Sequence, residues 1–209
     1  YTLWHTLSLH DALPISKDAY DLAESVHAPA IVAYNRRYVP LHQEFRRRVR
    51  SLETIDHVEC NFFRRGRDFA NFVTASGIHG IDFLQYLFGP ALSVEVKKWP
   101  VRESNAENAL ALAEFSGGKG ALLRFFPFSG RNLEEYTVYA RDHIIRLEVA
   151  QAFTDSSQNR LDTWWHDPQE GARHEQLLGV ADDPLESSGY LELFREFASV
   201  VAGEHLEGR

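Results

Sequence analysis

Three features of this sequence predict an α+β fold, a mostly antiparallel β-sheet with helices on one face. After Pro90 the chain turns into strand-like runs at residues 92–99, 109–115, 121–128, 136–140 and 143–149, with weaker ones at 161–165 and 173–177. Turns containing Gly, Asn or Asp separate these runs at hairpin spacing. Amphipathic helical patterns lie before and after the strands, so helices can cover one face of a sheet built from sequence neighbours.

In order along the chain, residues 1–16 fit neither a signal peptide nor the rest of the pattern. Leu9-His10-Asp11-Ala12-Leu13-Pro14-Ile15 resembles the translation of a sequencing-adapter oligonucleotide, so this segment is expected to be foreign to the fold. Ala19, Leu22, Ala23 and Val26 then keep helical spacing, and residues 30–34 read as a continuously apolar strand. Together they predict one α-β unit of the kind buried in a parallel sheet. Pro40 opens a helix over 41–52, with Leu41, Phe45, Val49 and Leu52 on one face and an arginine run on the other. The arginines are read as a solvated or ion-paired face. Residues 54–64 alternate like a long strand, and Arg64, Arg65 and Arg67 lead into the next loop. A helix within the stretch 76–90 is expected to bury Ile78, Ile81, Leu84 and Phe88 before Gly89-Pro90 stops it. Gly117-Gly118-Lys119-Gly120 lies between two strands and is a hairpin turn, not a phosphate cradle. A final helix over 189–201 uses Tyr190, Leu193, Phe194, Phe197 and Val201.

Composition narrows the function. The 209 residues are 44% hydrophobic and 25% charged, with a net charge of -8, which argues against nucleic acid as a partner. No apolar run approaches the ~20 residues of a membrane span. The single cysteine, Cys60, fits a reducing, cytoplasmic compartment and reads as a small buried residue of a strand. Ten histidines invite metal chemistry, yet no His-x-x-x-His, His-Glu-x-x-His or cysteine pair is present, so no metal ligands are assigned.

His79 in the first turn of its helix is the candidate acid/base. The positive end of a helix dipole disfavours the imidazolium, which suits a neutral proton acceptor. Asp82 follows one turn later and can face the same pocket. A histidine at such a position is more often a cap or a core residue, and that alternative stands beside the catalytic one. Tyr34-Asn35-Arg36-Arg37 follows the short strand, where open α/β sheets bind ligands. Asn35 offers an amide, and Arg36 or Arg37 can pair with an anion or make a structural salt bridge.

Tyr34-Asn35-Arg36-Arg37-Tyr38-Val39-Pro40, Ile55-Asp56-His57-Val58-Glu59-Cys60-Asn61-Phe62-Phe63, Gly77-Ile78-His79-Gly80-Ile81-Asp82 and Gly189-Tyr190-Leu191-Glu192-Leu193-Phe194 occur in that order. Together they resemble the second half of the glucose-fructose oxidoreductase / inositol dehydrogenase (Gfo/Idh/MocA) family, over roughly residues 17–203. The resemblance implies that 17–40 is the last helix and strand of a truncated Rossmann domain and that 41–209 is a C-terminal substrate and oligomerisation domain. It implies NAD or NADP as cofactor, held mainly by a dinucleotide-binding domain missing here, and a sugar or polyol substrate. His79 would be catalytic, Asn35, Arg36 and Asp82 would meet substrate, and Tyr34 and Arg37 would border the cofactor. A homo-oligomer formed through the β-sheet face is also implied. Two departures stand out. The family's aspartate four residues before the histidine is Ala75 here, and no Glu-Lys-Pro motif supplies the assisting lysine. The expectation is therefore a fragment of an NAD(P)-dependent oxidoreductase, inactive by itself. The alternatives are a non-catalytic interaction module built on the sheet and, behind it, a metal-dependent hydrolase.

Overall fold

The computed structural model describes residues 25, 33–68, 70–149, 159–179 and 184–202. The expected foreign segment 1–16 and nearly all of the expected α-β unit at 17–34 lie outside them. Within them one eight-stranded sheet has the order β2-β3-β4-β1-β5-β6-β7-β8. The strands are β1 (His57–Phe63), β2 (Ala91–Pro100), β3 (Glu107–Phe115), β4 (Lys119–Phe126), β5 (Leu133–Ala140), β6 (His143–Val149), β7 (Arg160–Asp167) and β8 (Gly171–Leu178). Two antiparallel meanders, β2–β4 and β5–β8, flank the central β1, which runs parallel to β4 and antiparallel to β5. All seven strand expectations after Pro90 are met, and the sheet is mostly antiparallel.

The Gly117-Gly118 turn closes the β3–β4 hairpin, with both glycines at positive φ (76° and 72°). The β4–β5 connection has to cross the end of β1. It does so pinned to Arg64, whose N–H donates to Phe126 O (2.9 Å) and whose carbonyl accepts from Ser129 N (2.9 Å).

Helix α1 (Pro40–Arg50) starts on a proline at its first position, where no N–H is needed. It buries Leu41, His42, Phe45 and Val49 against the sheet, and each buried apolar side chain contributes about 1.5–3 kcal/mol relative to exposure. Its arginines are ion-paired or solvated as expected: Arg47 and Arg48 share Glu44, and Arg46 lies 3.9 Å over the Tyr86 ring.

Helix α2 (Ile78–Phe88) follows a π-helical turn, Val73–Gly77. Its buried residues are Gly80, Asp82, Phe83, Leu84 and Leu87, so the inward face is rotated from the expected Ile78/Ile81/Leu84/Phe88 stripe. Gly80 is the reason. A Cβ there would lie 2.9 Å from Cys60 Sγ and 3.4 Å from the Phe62 ring, so the bare glycine brings the helix down onto β1. Phe83 then meets Tyr136 edge-to-face at 4.9 Å. Phe45, Phe62, Phe72, Phe83, Phe125 and Tyr136, each under 2% exposed, form the aromatic centre of this layer. Cys60 is buried in β1, and its thiol is pushed up by that burial.

The short helix α3 (Pro184–Ser187) leads to α4 (Tyr190–Val201). Of the five apolar residues expected to face inward, only Leu193 is buried, while Phe194 and Val201 are 58% and 57% exposed. α4 packs mainly on α3 and on the 3-10 turn Asn35–Tyr38, so it has little to bury against.

Gly189 fixes that docking. Its φ is +78°, and a Cβ would fall 2.3 Å from Asn35 O and 2.9 Å from Val39 N, both backbone atoms that cannot move aside. Gly189→Ala is therefore expected to cost about 2 kcal/mol or more from left-handed strain and overpacking. The check is a urea titration, in which the midpoint should fall at unchanged slope. An unchanged midpoint would show that α4 does not rest on this turn.

Candidate functional site

The 3-10 turn Asn35–Tyr38 sends two successive arginines to two different buried carboxylates. Arg36 clamps Glu134 of β5 with two bonds, Nε to Oε1 at 2.6 Å and Nη2 to Oε2 at 2.8 Å. Arg37 clamps Asp82 of α2 in the same way, Nε to Oδ2 at 2.9 Å and Nη2 to Oδ1. Such bidentate pairs fix geometry as well as charge. The Arg37 guanidinium lies between the Tyr34 and Tyr86 rings, 5.4 and 5.2 Å from their centroids.

Glu134 is fully buried and has two further partners. Arg64 Nη2 donates to Oε2 at 3.1 Å and Tyr136 Oη to Oε1 at 3.1 Å. Arg64 also donates through Nη1 to the Phe63 and Leu133 carbonyls (2.9 and 3.0 Å), and its guanidinium lies 3.8 Å over the Phe62 ring. Arg64, at the start of the loop after β1, is thus a core residue. Burial by itself favours the protonated acid at Glu134. The two guanidiniums outweigh it and hold the carboxyl well below the usual range. Two buried cations against one anion leave the cluster with an excess of one positive charge.

His79 lies beside this cluster. Burial, then the Arg36 charge, with a smaller contribution from Arg64, lower its pKa to about 4 against the opposing pull of Glu134. Its imidazole is neutral at physiological pH, and Nδ1 is enclosed without a hydrogen-bond partner. Ala75 is exposed on the π-helical turn and supplies no acceptor. Asp82 is buried and spent on Arg37, and among the described residues no hydrogen bond joins it to His79. Burial raises its carboxyl, partly offset by Arg37. Asn35 is buried too; its Nδ2 donates to Ser188 O at 2.8 Å and its Oδ1 is left without a partner.

The structure therefore brings together His79, Arg36, Glu134 and Arg64 on one side and Tyr34, Arg37 and Asp82 on the other. Sequence reasoning missed Glu134, Tyr136 and His42. His42 is fully buried, edge-on to Phe83 at 4.8 Å, and burial lowers its pKa to about 3. Its position one residue from Leu41 and three from Phe45 placed it on the apolar face of α1, and that was the available signal.

Among the described residues no tight glycine-rich strand-to-helix turn offers seats for a dinucleotide's phosphates, and no cluster of three or more His, Cys, Asp or Glu could hold a metal. His79 Nδ1 and Asn35 Oδ1 are both enclosed without a hydrogen-bond partner. No described helix is long and apolar enough to cross a membrane.

This sheet and its helices have the fold of the C-terminal domain of Gfo/Idh/MocA-type oxidoreductases. Three solved structures show the likeness. UDP-N-acetylglucosamine 3-dehydrogenase GnnA from Acidithiobacillus ferrooxidans is 16% identical with a TM-score of 0.67, covering 90% of this chain and 59% of that one. The 3-ketoreductase KijD10 from Actinomadura kijaniata, solved with NADP and TDP-benzene, is 15% identical with a TM-score of 0.72, covering 93% and 61%. An oxidoreductase from Agrobacterium radiobacter, solved with NAD+, L-tartaric acid and magnesium, is 16% identical with a TM-score of 0.63, covering 94% and 62%. This chain spans about three fifths of the length of the structures it matches. No protein-family model and no curated protein matches it.

The buried ionic cluster predicts acid sensitivity with a definite sign. His79 and His42 have folded values below their ordinary 6.5, so their contribution is intact above pH 6.5 and is lost as pH falls toward about 4 and about 3. Glu134 is depressed, so its contribution is intact above its ordinary 4.5 and is lost below it. Unfolding free energy measured by urea titration should therefore fall steadily from pH 6.5 downward. Glu134→Gln should cost about 3–5 kcal/mol at pH 7, because two buried guanidiniums lose their counter-ion. A variant as stable as the wild type would refute the cluster's role.

Proposed function

We propose that this chain belongs to the Gfo/Idh/MocA family and is the substrate-binding part of an NAD(P)-dependent oxidoreductase acting on a sugar, polyol or related hydroxy compound. The observation that carries the reading is His79, a neutral imidazole with an unpartnered nitrogen in the first turn of α2, within a fold shared with chains solved with NADP or NAD+. The cofactor, when bound by a dinucleotide-binding domain outside the described residues, supplies hydride chemistry at the substrate's carbinol carbon. His79 takes the hydroxyl proton onto its imidazole or returns it. With a pKa of about 4 it is present at neutral pH as an acceptor, and Arg36 and Arg64 beside it favour early release of the acquired proton.

Asn35, Arg36 and Asp82 form the substrate side of the proposed site, and Tyr34 and Arg37 the cofactor side. Arg36, Arg37 and Asp82 come to it already ion-paired, so they act as a fixed rim that sets position. Residues 17–40 are assigned to the end of the nucleotide domain and 41–209 to the substrate and oligomerisation domain. Self-association through the open sheet face and a cytoplasmic location, consistent with the single buried Cys60, complete the proposal. A second reading, a non-catalytic sheet-mediated module, is favoured by Ala75, which offers no acceptor before His79.

The 209-residue chain alone is expected to show no turnover of NADH or NADPH with any sugar or polyol, followed by cofactor fluorescence. Fused to the dinucleotide-binding domain of one of the matched enzymes, it should turn over, and His79→Ala should lower kcat by about 10²–10⁴-fold. The acid limb of the wild-type rate profile should fall near pH 4, since the base must be unprotonated. A fusion that turns over equally well with and without His79 would overturn the catalytic assignment, and a fusion that binds cofactor but never turns over would favour the second reading.

A further inference from the structure

The edge of the sheet carries a pattern that the proposed catalytic role does not use. β2 is ten residues long, is paired to β3 on one side, and has no strand on its other side among the described residues. The unpaired N–H and C=O groups of such a long edge are a template for another strand. Val94 and Val96, 57% and 53% exposed, lie on the helix face beside a small apolar groove of about 150 Å³. Their exposure shows that the described residues leave this part of the helix face of β2 uncovered.

On the other face of β2, Glu95 and Lys97 stand beside Leu112 and Leu110 of β3. Both are exposed, and among the described residues neither makes an ion pair or side-chain hydrogen bond, whereas the neighbouring Lys98 is spent on Glu107 at 3.3 Å. In an antiparallel pair, directly opposed residues share a face and interact. A two-fold axis through Val96 sets Glu95 of one copy against Lys97 of the other, twice, and sets Val96 against itself. Ser93 then faces Trp99 and Val94 faces Lys98. Shifting the axis by one residue in either direction opposes Glu95 to itself or Lys97 to itself. The charges that usually guard an edge here forbid the adjacent registers and permit this one.

We infer that β2 pairs with β2 of a second copy of this chain, antiparallel and centred on Val96, joining two eight-stranded sheets edge to edge. The inference is independent of the catalytic reading and of any association through the open sheet face. Sedimentation velocity on the purified chain, from micromolar to millimolar concentration, should show a dimer. Glu95→Lys or Lys97→Glu alone opposes like charges at both contacts and should weaken the dimer about tenfold or more. The double variant E95K/K97E restores opposite charges and should recover wild-type association. Circular dichroism melts of all three variants, which alter only exposed side chains, confirm that each is folded. A monomer throughout, a dimer indifferent to the single reversals, or a double variant no better than the singles would each overturn the proposal.

Discussion

Glu134 is the carboxylate on which the arrangement around the candidate site depends. Taking an isolated carboxylate out of water costs several kcal/mol, and the cost is recovered only when cationic partners with good geometry arrive. Here the partners come from far apart in the chain, Arg64 at 70 and Arg36 at 98 residues' separation. Burying Glu134 therefore requires the end of β1, the start of β5 and the turn after Tyr34 to be in place together. The same arginine that neutralises Glu134 also bonds the Phe63 and Leu133 carbonyls, so the crossing of the β4–β5 connection over β1 is held by the same side chain. The fold and the charge environment of His79 are consequences of one cluster.

The elements with regular periodicity were legible from the sequence because their residues answer to near neighbours. Hairpin strands, the α1 stripe and the Gly117-Gly118 turn all belong to this class. The placement of β1 does not. Its parallel pairing with β4 joins segments more than sixty residues apart and leaves no local trace beyond a mostly apolar run. β5 begins at Leu133, ahead of the run expected at 136–140, and so takes in the charged pair Glu134-Glu135. Only the distant arginines turn Glu134 into a core residue, while Glu135 accepts from Asn61 on the opposite face.

The site was half legible for the same reason. His79, Asn35, Arg36, Arg37 and Asp82 could be named as residues with chemistry to offer, but not which arginine would meet which acid. The expected His79–Asp82 neighbourhood rested on helical spacing alone. In the fold, the rotation of α2 imposed by Gly80 sinks Asp82 against Arg37, and His79 is left to the Glu134 cluster. Periodicity fixes which residues share a side of a helix, and close packing at one glycine decides what that side meets.

Ala75 gains its meaning from this environment. A carboxylate one turn before His79 would stabilise the imidazolium and raise its pKa, making the histidine a proton donor and acceptor near neutrality. This chain has a methyl group there, and the largest charge contribution at His79 is that of the Arg36 guanidinium, which acts in the opposite sense. The neutral, weakly basic imidazole follows first from burial and then from the Arg36 charge, with Glu134 opposing and Arg64 adding a smaller share.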